Sequence, residues 1–341
     1  MIDTLWPSEV DEPDEPELDR PRTINPGLDA SDRVFRFTAR SIGFFVLVLT
    51  GSIGLFLGYQ AVPTVRHYGL SFFTQTQWLP ERDKVGIAAI TLGTVEVAVI
   101  ALAVGFPLAL LCGLYISEYA PAWLKSTLVS MVDLMAAVPS IIYGLWGFFL
   151  LQPRALYLSR WLASYFGWIP IFKVDTDPRA AFWAQTQFTS SAFIAGLCVA
   201  MMVIPLACAV MLGVFSQAPL GEREASYALG STRWGMIRTV VLPFGRGGII
   251  GGTMLGLGRA LGETIAVLLI ISPAFDIKIA ILSNGTQTVS GLIAGSFGEA
   301  TSTQLTALLA AGFMLFLMTI GINTVAAVFV SRSRSGTGTD I

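Results

Sequence analysis

Two opposite charges, Arg259 and Glu263, stand four residues apart in a stretch of the chain that is otherwise apolar and rich in glycine. A charge at the centre of a bilayer costs about 3 kcal/mol or more, so charges in such stretches are usually paired and functional. On a helix these two side chains can pair. They are then either a structural ion pair that fixes helix packing, or a site in which Arg259 offers its planar fork of donors to an anion and Glu263 holds that fork when no anion is bound.

A helical wheel at about 100° per residue places both charges on the small-residue face of their span. That face carries Gly248, Gly252, Gly256, Arg259, Glu263 and Ala266, and the opposite face carries Ile250, Met254, Leu257, Leu261, Ile265 and Leu268. Small residues at four-residue spacing let helices approach closely. We therefore expect this face to meet other helices or a water-filled path, for which Thr264 is a further polar candidate.

An earlier span repeats the pattern around Asp133. Its predicted inner face carries Ser126, Ser130, Asp133, Ala136, Ala137, Ser140 and Gly144, with Met131, Met135, Val138 and Ile142 opposite. Asp133 is then expected to face the helix bundle, as the partner of an arginine or as a residue of the path, and Ser140 is a polar candidate for the path. Glu96 stands in another span beside Ala89 and Ala103. No partner for Glu96 is evident, so a structural and a functional role both stay open.

The composition predicts a polytopic all-α membrane protein. Hydrophobic residues make up 54% of the 341 residues and charged residues 13%, with a mean hydropathy of +0.68, whereas soluble domains carry about 25% charged residues. Six stretches are apolar and long enough to cross the roughly 30 Å hydrocarbon core. They cover about residues 41–62, 86–117, 126–151, 191–215, 247–271 and 304–330, and the third is expected to kink at Pro139.

The regions outside the spans predict the orientation. Ten of the 23 acidic residues precede Arg33, so residues 1–40 are predicted to form a disordered acidic head. Residues 152–190 form a long connection that begins with an amphipathic segment at the membrane surface, and residues 332–341 form a tail. Twelve Lys and Arg residues lie on the side of the termini and eight on the other. This bias predicts that both termini and the connector 222–243 are cytoplasmic.

The connector between spans four and five has the pattern of two short helices. The first begins near Glu224 and stops at Gly230, a residue that adopts positive φ at little cost. Ser231 or Thr232 can cap the second helix, which Pro243 is expected to end. The connector is therefore predicted to be a rigid cytoplasmic knob.

Five residues of the connector stand at the spacing of the EAA motif of ABC importer permeases, and the chain resembles that family. They are Glu224, Ala225, Gly230, Leu242 and Pro243, with Ser226 and Val240 in places where Ala and Ile are usual. Three segments, REASYALGSTRW, GRALGET and VPSIIYGLWGF, resemble the permease subunits of phosphate importers in particular. The resemblance covers roughly residues 86–330.

This resemblance implies a six-span type I permease bundle in a bacterial plasma (inner) membrane. The EAA helix of the family docks into a cleft of the ATPase subunit, which binds ATP and Mg. The expected assembly contains a second, homologous permease, two ATPase subunits and an extracytoplasmic phosphate-binding protein, with lipid around it and no nucleic acid. An Arg and a Glu of GRALGET are implicated in transport in this family, which favours Arg259 and Glu263 as residues of the phosphate path.

No enzyme chemistry is predicted for the chain itself. It has no GxxxxGK[ST] phosphate-binding loop, and none of its four lysines follows a glycine. Cys112, Cys198 and Cys208 are expected to be packing residues within spans, and His67 has no cluster of ligands around it in the sequence. We therefore expect neither a metal site nor a cofactor in this chain, and ATP hydrolysis by a separate chain.

Three alternatives remain at this point. The same kind of permease could carry another oxyanion, such as molybdate, sulfate or phosphonate. An ion-coupled secondary transporter would use Glu263, Glu96 and Asp133 as proton or sodium sites, and the EAA spacing argues against it. An integral membrane enzyme would need a nucleophile, a base or a metal site, and the sequence suggests none.

Overall fold

The computed structural model describes residues 30–174 and 188–333. The chain divides into two compact units, residues 1–52 and residues 53–341. Within the first unit, residues 30–52 are helical and have no buried residue. The first 29 residues of the predicted head, most of the predicted tail and the middle of the 152–190 connection lie outside the described residues.

The first helix is longer than the predicted first span. Helix α1 runs from Ala30 to Tyr68, so the disorder predicted for residues 30–40 is wrong. The apolar Val34 and Phe35 continue the span's pattern towards the N-terminus, and Asp32 in the first turn complements the positive end of the helix dipole.

A short helix and a hairpin follow α1. Helix α2 covers Ser71–Thr74, and the strands β1 (Trp78–Leu79) and β2 (Lys84–Val85) pair antiparallel, with Trp78 opposite Val85. Asp83 lies in the turn between the strands with φ 56°, a conformation that asparagine and aspartate adopt more readily than most residues.

Helix α3 (Ala88–Leu114) is the second span, and a π-helical turn, Tyr115–Tyr119, extends it. The third predicted span is broken instead of kinked. Helix α4 (Ala122–Ala137) and helix α5 (Ser140–Trp146) belong to two helical segments that are bent by 92°. Pro139 causes the break because it disfavours the helical conformation at Val138, whose ψ is 131°.

Helix α6 (Gln152–Phe166) continues from α5 through a π-helical turn at Gly147–Leu151. One face of α6 is buried and the other exposes aromatic rings. The buried residues are Ala155, Leu156, Ser159 and Ala163, and the exposed rings include Tyr157, Trp161 and Tyr165. The predicted amphipathic segment is therefore an amphipathic helix.

Helix α7 (Ala192–Phe215) is the fourth span and the centre of the core. The Ser191 hydroxyl caps it by accepting a hydrogen bond from the Ile194 amide at 3.4 Å. A Cβ built on Gly196 would lie 2.6 Å from the Ile100 side chain, so a glycine is needed where α7 meets α3. Cys198 and Cys208 are buried and free, as packing residues are expected to be.

Helices α8 (Leu220–Ala228) and α9 (Arg233–Met236) form the connector. A π-helical turn, Ile237–Val241, then joins α9 to helix α10 (Leu242–Gly262), and the whole stretch from Arg233 to Gly262 is one long helical segment. The prediction that Pro243 ends the second helix is wrong. Proline is tolerated in the first turn of a helix, which is where Pro243 lies in α10.

The fifth predicted span is also broken. Helix α10 ends at Gly262, the chain is extended at Glu263, and helix α11 covers only Ile265–Ile270. A largely extended segment leads from α11 to helix α12 (Val289–Ser296), which is buried along its first turn.

Helix α13 (Ser302–Ser333) is the last span. Over the described residues, five helices are long and apolar enough to cross a membrane, and the bent segment from Ala122 to Phe166 makes six if it counts as one span. The predicted six-span, all-α architecture agrees with this count.

Candidate translocation site and connector

The glycines of α10 bring Arg259 into the bundle. A Cβ built on Gly252 would lie 2.9 Å from the Ala207 carbonyl oxygen, and one on Gly256 would lie 2.6 Å from the Val203 side chain. Both contacts are with α7, so the prediction that the small-residue face meets another helix is confirmed. The opposite face is not uniformly exposed, because Leu261 is buried in the core.

Arg259 is a half-buried charge without a partner among the described residues. Its Nε is inaccessible to water and has no hydrogen bond, and no carboxylate oxygen of the described residues lies within 4.0 Å of its nitrogens. Buried polar groups in proteins are nearly always hydrogen-bonded. The guanidinium therefore keeps its donors available.

The predicted pairing of Arg259 with Glu263 is wrong. An i, i+4 pair requires an unbroken helical turn, and α10 ends between the two residues. Glu263 is only 7% exposed, and its Oε1 accepts a hydrogen bond from the Ala266 amide at 3.3 Å, so its carboxylate caps α11. Its carbonyl oxygen accepts a hydrogen bond of 2.7 Å from the Ser290 hydroxyl of α12. Glu263 fixes the break in the span and leaves the arginine free.

The breaks in the third and fifth spans lie side by side. A Cβ on Gly144 of α5 would lie 2.8 Å from the Ala266 Cα, and one on Gly147 would lie 3.0 Å from Ile270. These contacts advance in the same direction along both segments, so α5 and α11 run parallel, with α5 beginning about one helical turn earlier. Ser140 and Thr264, the two predicted polar candidates, stand at those beginnings. Both are half-buried, and the Thr264 hydroxyl donates to the Gly262 carbonyl at 3.1 Å.

Asp133 does not face the bundle of this chain. It is exposed on α4, as are Ser126 and Ser130, whereas Val132 is buried. Leu128, Val129 and Val132 of α4 pack towards α7. The side of α4 that the wheel assigned to lipid, with Met131 and Met135, is exposed too, so exposure does not distinguish the two predicted faces.

Glu96 is half-buried in α3 and lines a small cavity together with residues of the segment between α11 and α12. That segment contributes Asp276, Lys278 and Thr286. The Lys278 ammonium donates to the Asn284 carbonyl at 3.2 Å. These neighbours of Glu96 are about 180 residues away or more in the sequence, so its pattern did not reveal them.

His67 forms a surface cluster with Tyr68 and Asp83. The His67 Nε2 lies 3.1 Å from the Asp83 carboxylate, and the Tyr68 hydroxyl donates to that carboxylate at 2.7 Å. The hydrogen bond from Tyr68, together with that of His67, holds the pKa of Asp83 below its usual value. Over residues 30–174 and 188–333, no three His, Cys, Asp or Glu side chains are grouped so as to hold a metal ion.

The connector presents most of the predicted motif to solvent. Glu224 and Ala225 are exposed on α8, and Gly230 stops that helix with φ +84°, as predicted. Thr232 caps α9 by accepting a hydrogen bond from the Gly235 amide at 3.1 Å. Leu229 is 88% exposed beside them.

Leu242 and Pro243 take a different place from the rest of the motif. They are the first two residues of α10, immediately after the π-helical turn. They therefore link the knob to the helix that carries Arg259.

Two residues that the sequence analysis missed attach the connector to the spans. Glu118, at the end of the third helix, is bound by Arg223 of α8 at 3.1 Å. A buried acid at the end of a span, together with an arginine one position before the motif, was the available signal, but their separation in the sequence hid the pairing.

A family model for the binding-protein-dependent transport system inner membrane component matches residues 105–335 of this chain. The phosphate transport system permease protein PstC of Xylella fastidiosa (strain Temecula1 / ATCC 700964) is 34% identical over 333 residues, covering 97% of this chain and 98% of that protein. PstC 2 of Mycobacterium tuberculosis (strain ATCC 25618 / H37Rv) is 36% identical over 309 residues, covering 89% of this chain and 93% of that protein.

A solved structure of the MetNI methionine ABC transporter in an inward-facing conformation has the same fold. Its TM-score is 0.51 at 14% sequence identity, covering 72% of this chain and 97% of that chain. Since the family model covers more than half of this chain and the relatives cover nearly all of it, the chain belongs to the family of binding-protein-dependent transport system inner membrane components, the permeases of ABC transporters.

Proposed function

We propose that this chain is one permease subunit of an ATP-driven importer of inorganic phosphate, in a bacterial plasma membrane and with both termini cytoplasmic. The choice of substrate is supported by the relatives that are named phosphate transport system permease proteins. They align with this chain over nearly their whole length. The observation that carries the proposal within the molecule is the unpaired guanidinium of Arg259.

Arg259 has the chemistry that phosphate needs. A guanidinium is always charged, is more weakly hydrated than an ammonium and offers two parallel donors to an oxyanion. A half-buried guanidinium without a carboxylate gains those hydrogen bonds only when an anion is present. Because Glu263 caps α11 instead of competing for the arginine, release of the anion depends on motion of the helices.

The neighbouring breaks at Ser140 and Thr264 support a path beside Arg259. Backbone that leaves the helical conformation within a membrane is tolerated only when it is buried in protein or lines a water-filled cavity. The exposed polar face of α4, with Asp133, supports a second, homologous permease as the other wall, since polar groups are costly against lipid. One chain then supplies half of the path.

The exposed connector supports an ATPase as the partner on the cytoplasmic side. Glu224, Ala225 and Leu229 would enter a cleft of one subunit of an ATPase homodimer, which binds ATP and Mg and performs the hydrolysis. An extracytoplasmic binding protein delivers phosphate on the opposite side. This chain is then non-catalytic and holds no cofactor of its own.

The test is uptake of radiolabelled phosphate by proteoliposomes that contain the purified complex. We expect uptake that requires ATP and the binding protein, that continues when a protonophore dissipates the proton gradient, and that excess molybdate, sulfate or phosphonate does not compete away. Uptake that stops with the protonophore while ATP stays high contradicts ATP-driven transport. Preferential uptake of another oxyanion contradicts the assigned substrate.

A further inference from the structure

One arginine of α8, the first helix of the connector, binds the ends of two spans at once. Arg223 of α8 holds its Nη1 3.1 Å from each carboxylate oxygen of Glu118, and its Nη2 donates to the carbonyl oxygen of Phe215 at 2.6 Å. Glu118 belongs to the π-helical turn at the end of α3, and Phe215 is the last residue of α7. A single side chain therefore joins α8 to the preceding helix α7 and to the end of α3, which lies about a hundred residues earlier in the chain.

This contact is a buried joint and not a surface ion pair. The side chains of Arg223 and Glu118 are 18% and 4% exposed, and Glu118 also accepts a hydrogen bond of 2.7 Å from the Ser117 hydroxyl. Surface pairs contribute little because water screens them, whereas removing one partner of a buried pair leaves a charge uncompensated. Of the nine residues of α8, Arg223 and Ser226 are half-buried and the other seven are exposed. The joint is thus the main side-chain attachment of the coupling helix to the spans.

A second arginine contacts the same π-helical turn. The Arg233 guanidinium, at the start of α9, lies over the Tyr119 ring at 5.3 Å from its centre. Tyr119 and Arg233 are both exposed, so this cation–π contact is weaker than the ion pair between Arg223 and Glu118. The connector therefore holds Glu118 and Tyr119, adjacent residues of one turn, with an arginine on either side of Gly230. Single π-helical turns occur often at functional sites.

The joint gives a displacement of α8 a second route into the membrane. One route follows the backbone from Arg233 to Gly262 and reaches Arg259. The other passes from Arg223 to the ends of α3 and α7, which pack closely at Gly105 and Gly196. Without the joint, α8 is connected to the spans only through the backbone, to α7 at residues 216–219 and to α10 through α9, and α3 loses its direct link to α8.

We propose that Arg223 is a positioning residue for energy coupling: its bond to Glu118 makes α3 move together with α8, and its bond to the Phe215 carbonyl stiffens the short link between α7 and α8. This inference rests on the proposed function, because it assumes an ATPase that displaces α8. If Arg223 has this role, loss of the joint lowers phosphate uptake per ATP hydrolysed while the ATPase stays bound.

The test compares Arg223→Gln and Glu118→Gln with Arg246→Gln, an exposed arginine of α10 that makes no hydrogen bond or ion pair to Glu118 or Phe215. Each complex is purified and reconstituted, and the amount of bound ATPase subunit, the rate of ATP hydrolysis and phosphate uptake are measured together. We expect normal copurification, continued hydrolysis and a roughly tenfold lower ratio of uptake to hydrolysis in the two joint variants, within the usual range of coupling between sites. Arg246→Gln keeps the wild-type ratio.

A charge exchange distinguishes coupling from folding. The double variant Arg223→Glu with Glu118→Arg restores opposite charges but not the bond to the Phe215 carbonyl, so the ratio should recover in part. A role in folding alone lowers assembly, hydrolysis and uptake together and leaves their ratio unchanged. An unchanged ratio in both Arg223→Gln and Glu118→Gln overturns the inference. Absence of ATP-dependent phosphate uptake in the wild-type complex instead overturns the proposed function.

Discussion

Two half-buried arginines of this chain are engaged in opposite ways. Arg223 has both of its terminal nitrogens bound, to Glu118 and to the Phe215 carbonyl, and only its Nε lacks a partner among the described residues. Arg259 has no hydrogen bond or ion pair with the described residues, although its Nε is inaccessible to water. A charge that protein groups already satisfy can transmit force, whereas a charge left unsatisfied within the membrane is suited to a ligand that comes and goes. The bound arginine therefore lies in the connector, where we propose that the ATPase docks, and the unbound arginine lies in the span, where we propose that phosphate binds.

The largest effect is expected from Arg259→Ala. Two charge-assisted hydrogen bonds of about 1.5 kcal/mol each correspond to a loss on the order of 100-fold in phosphate uptake. The complex should still assemble, because Arg259 holds no other described residue. The measurement is uptake per amount of purified complex, with Arg66→Ala, an exposed arginine, as the control. Normal uptake would return Arg259 to a role in packing.

Reversal of the charge at Glu224 should weaken binding of the ATPase to the connector. Glu224 is exposed beside Arg223, so Glu224→Lys should leave the Arg223 joint intact and disturb only the docking of the ATPase. Like charges placed opposite each other in an interface cost several kcal/mol, so copurified ATPase should fall about tenfold or more. Asp32→Lys, an exposed acid on α1, is the control. Normal copurification and transport would remove Glu224 from the interface.

Glycine-to-alanine changes in α10 test how Arg259 is positioned. A Cβ at residue 252 would meet the Ala207 carbonyl oxygen at 2.9 Å, whereas one at residue 251 has nothing within 4 Å. Gly252→Ala should destabilise the protein by about 1–3 kcal/mol through overpacking. Gly251→Ala should be neutral or stabilise it by up to about 1 kcal/mol, because alanine favours the helix. Thermal unfolding in detergent compares them, and equal effects would contradict the close approach of α10 and α7.

A smaller effect is expected at Glu263. Glu263→Ala removes the cap of α11 and should cost about 1 kcal/mol, and Glu263→Gln, which keeps an acceptor, should cost less. Since Glu263 does not pair with Arg259, the stability changes of Glu263→Ala and Arg259→Ala should add within about 0.5 kcal/mol. A larger interaction energy in the double variant would restore the ion pair that the sequence suggested.

The positions of the spans could be predicted because crossing a membrane requires about 20 apolar residues in a row. The connector could be predicted from the spacing of Glu224, Gly230 and Pro243. The wheel for the fifth span failed at one point, since it assumes an unbroken helix and α10 ends at Gly262. Gly262, with the β-branched Thr264 two residues later, was an available signal for that end.

Contacts between elements that are distant in the chain could not be predicted from the sequence. Asp133 was assigned to the bundle because polar groups in a span usually face protein, but a single chain does not reveal which of its surfaces meets a partner. Glu118 and Arg223 are each unremarkable in their own segments, and only the packing of α3 against α7 brings them together. Lys278 and Glu96 share a cavity for the same reason.

The most direct test of the free charge at Arg259 is to remove it and then restore it chemically. In a transporting background with Cys112, Cys198 and Cys208 replaced by alanine, Arg259→Cys is treated with a cationic thiol reagent and, separately, with a neutral reagent of similar size. Phosphate uptake should be lost in the untreated variant and recover in part only with the cationic reagent. Wild-type uptake before treatment, or equal recovery with the neutral reagent, would contradict a role for this charge in transport.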